Sequence, residues 1–238
     1  MSARVHRDWP RAVRALRALV NDPSRTELAQ EISTALDAGL EERGLAELLA
    51  RAEGRRLFRE RPLLGDVLCD RAALERLPED SFGRAYLAHL DRHGLDPGKL
   101  VEIGRTHGPS ACMTDPDLRW WRERGELAHD LWHVLSGYGA DPLGEAALLP
   151  FSLAQTGGRA NALLALGATL EAVRRDGLRA LARAWRAWRR GRRAVCLSWL
   201  RYEELLPLPL DEVRARCRVE PLTPWAGAAR SASCRSPS

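Results

Sequence analysis

The run HDLWHVLSGYGADPLGE carries two histidines and an aspartate at His129, Asp130 and His133, and Glu145 follows with eleven residues in between. A helix advances about 100° per residue, so with His129 at 0°, His133 falls at about 40° and Asp130 at about 100°. All three polar heads share one face, while Leu127, Leu131 and Leu135 lie at about 160° to 240° and give the same helix an apolar back. Two imidazoles four residues apart can converge on one ion, and a carboxylate adds the hard anionic oxygen that Zn²⁺, Mn²⁺ or Fe²⁺ accepts. The expected cofactor is therefore a divalent metal, zinc first. Unpaired charge on an otherwise apolar helix is too costly to keep without such a partner. A fourth ligand has two candidates. Glu126 sits at about 60° on the same face, and Glu145 can be folded back by the turn residues Gly137, Gly139, Pro142 and Gly144. Helical geometry leaves the two open, and either can instead orient a histidine.

The other motifs are weaker. HDLWH is not a protease HExxH, because Asp130 is one methylene shorter than the glutamate base there and no third ligand follows at the metzincin spacing. The GxG at 137–139 lacks the preceding strand and third glycine of a dinucleotide site. RAWRAWRRGRR, residues 183–193, can grip phosphates or an anionic lipid surface, but reads first as a solvated basic face. Ser152 and Ser198 have no nucleophile-elbow context.

The elements that must position these residues are helices. Leu, Ala, Arg and Glu dominate, and the chain is 45% hydrophobic with eight Trp against three Tyr and three Phe, so the β-branched and aromatic runs of strands are scarce. The expected fold is all-α: one compact multi-helix domain over 1–222 with long loops, and a disordered Pro/Ser-rich tail over 223–238. Helices are expected over 11–20, from a cap at Ser24 or Thr26 through Leu28, Ile32 and Leu36, and from Leu45 to a stop at Gly54. RLFRERPLLGD then reads as loop, 71–93 as short helices with Ser81 as a cap, and 94–116 as a surface loop. Trp120–Ser136 carries the motif and ends at Gly137. Residues 145–156 follow, kinked at Pro150, then 159–174 and the amphipathic 178–190.

The net charge is +5, but Lys99 is the only lysine, and an arginine-rich composition of this kind follows from a GC-rich genome; no nucleic acid is expected as partner. Five scattered cysteines with no CxxC pair indicate neither a disulfide framework nor a thiolate metal site. No stretch approaches the roughly 20 apolar residues of a membrane span, and no signal-peptide core follows Met1. The arginine-rich start resembles a transit peptide in composition, yet Val13, Leu16, Leu19 and Val20 already carry helical spacing, which makes it part of the fold.

The motif HDxxH, eleven residues, then Glu resembles the ubiquinone (coenzyme Q) biosynthesis family that is fourth in its series. NDPSRT at 21, RPLL at 61, LPEDSFGRAYLAHL at 77, and GRR followed by YEELLPLPLDEVR between 191 and 214 match its landmarks in order, over roughly residues 12–220. The resemblance selects Glu145 as fourth ligand, giving His129, Asp130, His133 and Glu145. It implies an all-helical, metal-binding, homodimeric protein at a membrane surface. Its implied partners are other ubiquinone biosynthesis proteins and a polyprenylated aromatic substrate or quinone lipid. The implied reaction is loss of the carboxylate at ring carbon 1 of a polyprenylated 4-hydroxybenzoate, in some accounts with hydroxylation there. Tyr202 departs from the family's more frequent Trp. The early position of NDPSRT favours a bacterial protein of the cytoplasm, held to the inner membrane, over a mitochondrial one. Two readings compete with the enzyme: a lipid-binding scaffold with a structural metal, and a metal phosphohydrolase using His89, His93 or His107 as its upstream histidine.

Overall fold

The computed structural model describes residues 7–222 apart from positions 23, 24, 26, 97, 100, 103–105, 107 and 108. Among these residues the chain is all-α, with thirteen α-helices, two 3-10 turns and no strand; one isolated antiparallel bridge joins Ser81 to Pro209. The caps proposed at Ser24 and Thr26, and the tail at 223–238, lie outside the described residues.

Helix α8, Pro116–Ser136, is the axis. Asp115 starts it, its side chain accepting from the Asp117 and Leu118 amides, and Pro116 follows at the first helical position where no amide is needed. The helix begins four residues earlier than its apolar spacing suggested. It stops at Gly137 in the left-handed conformation (φ 77°), which an L side chain adopts only under strain. Around its back pack α5 (Leu64–Cys69), α7 (Phe82–His93), α9 (Pro142–Thr156) and α13 (Leu210–Cys217). Leu131, Leu135, Phe82, Leu90, Phe151 and Tyr202 are fully buried in that cluster.

Two smaller cores flank it. Helices α1 (Trp9–Asn21) and α2 (Glu27–Leu36) pack with α10 (Arg159–Asp176) through Ala12, Ala15, Ile32, Leu36 and Ala160. Buried Asp37 caps α10 from a distance of over a hundred residues, accepting from the Arg159 amide at 2.7 Å and the Ala160 amide at 3.0 Å. Helices α3 (Leu40–Leu49) and α4 (Ala52–Glu60) bury Leu45, Leu48 and Leu57 beside Trp120, Trp121 and Trp199.

Two expectations fail here. Gly54 does not end a helix: α4 runs straight through it, because a side chain there would collide with the Leu48 carbonyl, so glycine marks a close approach of α3 rather than a stop. The segment read as loop from Arg56 holds the rest of α4, ended by Arg61 at φ 42°, and then the short α5. Ser81 does cap α7, its hydroxyl accepting from the Arg84 amide. Helix α9 continues through Pro150. The expected loop at 94–116 is instead α-helical at the described residues Gly98, Lys99, Val101, Glu102 and Thr106, and holds a 3-10 turn, Pro109–Cys112.

Candidate metal centre

Helix α8 delivers His129, Asp130 and His133 to one place, their ligand atoms all within 4.8 Å of one another. The back of the helix holds them still, since Ala128, Leu131 and Leu135 are buried and Leu127 is partly so. His133 is only 1% exposed. Its Nδ1 lies 3.1 Å from the Tyr138 carbonyl, which can only accept, so Nδ1 carries a proton and Nε2 faces the site. There Nε2 meets His129 Nε2 at 3.2 Å and Glu145 Oε1 at 3.1 Å, and Glu145 Oε2 is 3.9 Å from His129 Nε2.

Glu145 arrives from α9. The Asp141 side chain caps that helix by accepting from the Leu143 and Gly144 amides, and Glu145 sits one turn further on. The end of α8 is pinned as well. Arg214 donates to the Leu135 and Val134 carbonyls at 3.1 and 3.0 Å, and Arg190 donates to the Ser136 carbonyl at 2.9 Å, occupying acceptors that a helix terminus leaves open.

Burial and mutual charge set the electrostatics of the cluster. Burial pushes the Asp130 carboxyl up, against the opposing pull of both histidines. Burial, with the neighbouring His133, pushes His129 down; nearly half of its side chain meets solvent (46%), which screens part of that effect. Burial also resists charge on His133 and Glu145, but their mutual hydrogen bond and attraction win, raising His133 and lowering Glu145. Two imidazole nitrogens and two carboxylates from successive helices are a donor set that suits a divalent metal, so the residues present fit such an ion.

Glu126 does not join them. Its carboxylate accepts from the Ser110 amide and hydroxyl at 3.2 and 2.9 Å and from Arg122 Nε at 3.0 Å, which anchors the 3-10 turn to α8. Helix α7 contributes what the motif did not announce. Tyr86, His89 and His93 follow one another at helical spacing; His89 stacks on His133 with ring centroids 5.4 Å apart and planes at 21°, and His93 lies 4.8 Å from His89. The Nε2 atoms of both are buried without a hydrogen-bond partner. Burial, reinforced by His133, holds His89 down at about 4. Burial, and then the Asp130 charge, raises the Tyr86 hydroxyl. His107 lies outside the described residues.

Arg124 escaped the sequence reading, and Tyr202 entered it only as a departure from the family's more frequent Trp. Arg124, 3% exposed, grips Glu203 with bonds of 2.6 and 2.9 Å and donates to the Leu200 carbonyl at 2.7 Å. Tyr202 accepts from Trp132 Nε1 at 2.7 Å and donates to the Leu197 carbonyl at 3.0 Å, so its hydroxyl has a role that an indole at the same position fills differently. A groove of about 1470 Å³ is lined by Leu143, Gly144, Ala147, Ala172 and Leu222 and edged by arginines of α11 (Arg179–Arg193); it takes in neighbours of Glu145 along α9 but none of the four candidate ligands.

The family described as coenzyme Q (ubiquinone) biosynthesis protein Coq4 matches residues 6–223. The chain is 31% identical over 176 residues to a mitochondrial ubiquinone biosynthesis protein COQ4 homolog 1 of Culex quinquefasciatus, covering 74% of this chain and 61% of that one. It is 31% identical over 171 residues to the mitochondrial COQ4 homolog of Mus musculus, covering 71% and 61%. The matched stretch thus spans about three fifths of these relatives. A crystal structure from Nostoc punctiforme, provisionally named a ubiquinone biosynthesis protein, shares the fold with a TM-score of 0.65 at 20% identity, over 90% of this chain and 99% of that one.

Proposed function

Because the chain belongs to the Coq4 family of coenzyme Q (ubiquinone) biosynthesis proteins, we propose that His129, Asp130, His133 and Glu145 hold one divalent metal ion, zinc, and that the site acts at ring carbon 1 of a polyprenylated 4-hydroxybenzoate, where the carboxylate leaves. A proton takes the place of the carboxylate; in the oxidative form a hydroxyl does instead, with dioxygen as the oxidant and a redox-active ion such as Fe²⁺ in place of zinc. The observation that carries the reading is the meeting of His133 Nε2 with both His129 Nε2 and Glu145 Oε1 at hydrogen-bond distance, Asp130 beside them.

The ion supplies Lewis acidity toward the carboxylate and ring oxygens of the substrate. The protein supplies placement. Tyr138 fixes the His133 tautomer through its carbonyl, the buried Leu131 and Leu135 hold the α8 face in register, and the capped start of α9 sets Glu145 against it. The groove, with Leu143, Ala147, Ala172 and Leu222 on its walls, suits an isoprenoid tail. The proposed partners are other ubiquinone biosynthesis proteins, a second copy of the chain and a membrane surface to which it attaches peripherally.

Metal analysis of the purified protein, with lipid extraction and mass spectrometry of what co-purifies, tests this directly. His133→Ala and Glu145→Ala are expected to lose the metal, and a host relying on either variant to accumulate an intermediate that keeps its carboxylate. Accumulation of a later, decarboxylated intermediate overturns the reaction. A second reading, a lipid-binding scaffold, is favoured by the burial of His133 and its stacking between α7 and α8, where an ion also staples helices. On that reading the same variants lose melting temperature and partner binding, while purified wild type turns nothing over.

A further inference from the structure

Helix α11, RALARAWRAWRRGRR, has seven arginines and no acidic residue. Its small residues Ala180, Ala187 and Gly191 are buried, with Gly191 tight against the Phe151 carbonyl of α9. At about 100° per residue, the exposed Leu178, Leu181 and Trp185 fall on a strip turned about 130° from that buried face. They are exposed by 76%, 48% and 57%, and Trp188 stacks on Trp185 with centroids 5.0 Å apart. Apolar side chains on a surface helix normally point inward; here large ones point outward while alanine and glycine make the internal contact. Along one side of the strip run Arg179, Arg186 and Arg189, and Arg192 lies over the Trp188 ring at 5.7 Å. Among the described residues none of these four has a carboxylate partner within 4 Å, whereas Arg183 and Arg193 are paired with Asp176 and Glu220.

We infer that this outward face of α11 is the surface by which the protein lies on an anionic lipid bilayer, with Leu178, Leu181, Trp185 and Trp188 entering the headgroup boundary and Arg179, Arg186, Arg189 and Arg192 meeting lipid phosphates. It rests on the peripheral attachment proposed above and is independent of the metal reading. The charge decides the occupant. Across a two-fold axis, seven arginines without a carboxylate would face seven more, which disfavours a second copy. A nucleic acid would use the arginines but leave the Leu and Trp strip in water. A bilayer satisfies both, since amphipathic interfacial helices combine an apolar strip with flanking cations, and indoles sit at headgroup depth. No helix among the described residues is long and apolar enough to cross a membrane, so attachment here is by lying on the surface. The arginine-edged groove shares this helix, which places the proposed tail site next to the lipid source.

The test is sedimentation of the full, metal-loaded chain with phosphatidylcholine vesicles with and without phosphatidylglycerol. Binding is expected only to the anionic vesicles, and to weaken in high salt. Arg186→Gln with Arg189→Gln should lower the partition about fivefold per arginine, whereas Arg76→Gln with Arg216→Gln, which removes the same net charge from exposed sites elsewhere, should leave it within about twofold if the face is specific. Leu181→Ala with Trp185→Ala should lower it roughly tenfold, with metal content and melting temperature unchanged. Should that double variant lose melting temperature, Trp185→Ser alone is read in its place. Equal losses in both arginine pairs, or no binding to anionic vesicles, overturns the inference. So does loss of a dimer by Leu181→Ala with Trp185→Ala while vesicle binding persists, or a salt-sensitive shift with duplex DNA that Arg186→Gln with Arg189→Gln abolishes.

Discussion

The two halves of helix α8 use their polar groups in opposite ways. In the first half Arg124 meets Glu203, and Arg122 bridges Glu41 and Glu126 at 2.6 and 3.0 Å, so both of these cations face anions from another element or turn. In the second half His129, Asp130 and His133 crowd one another, burial drives His129 and Asp130 toward neutrality, and Glu145 crosses over to them from α9. A network that closes on itself is a staple; one whose donor groups converge on a common point suits a ligand.

Glu203→Ala is the sharpest probe of the closed half. It strands the Arg124 guanidinium in the core and is expected to cost about 3–5 kcal/mol in denaturant unfolding, with metal stoichiometry of the folded protein unchanged. Loss of metal in that variant would break the distinction between the halves. Against the open half, His89 of α7 titrates in the unfolded chain near 6.5 but at about 4 when folded, where it is 5% exposed. Protonation therefore favours unfolding, and metal-free protein should lose at most about 3 kcal/mol as pH falls from about 6.5 to about 4, a loss absent in His89→Phe. Equal acid sensitivity in both would uncouple His89 from the open half.

Zinc at a hundredfold excess over its dissociation constant should stabilise wild type by about 2.7 kcal/mol and His133→Ala by nothing, read as a shift in melting temperature. A similar shift in both would place the ion elsewhere. The smallest change belongs to Tyr202→Phe, which leaves the buried Trp132 indole without its acceptor and should cost roughly 1–2 kcal/mol while the metal remains.

Local signals in the chain announce much of this architecture. Ser81 and Gly137 mark helix ends where they were expected, and Leu131 and Leu135 line the apolar back of α8. What local pattern misleads on is spacing through the fold. Gly54 looks like a stop because a missing side chain reads the same whether it frees the backbone or admits a neighbour. Glu126 shares the angular face of the histidines, but a helical wheel ignores rise along the axis and the Ser110 turn that claims its carboxylate. Arg124 and Glu203 are separated by 79 residues, and the His89 stack joins two helices, so neither leaves a periodic trace.

The eleven-residue gap before Glu145 now divides into parts with separate duties. Three residues finish α8, Gly137 turns the chain, three more make the corner, Asp141 restarts it, and three lead into the carboxylate. The corner sets reach, while the count from Asp141 sets phase: one residue added there would swing Glu145 by about 100° and carry it off target with every donor still present. The motif is thus less a list of ligands than a clock that two helices share.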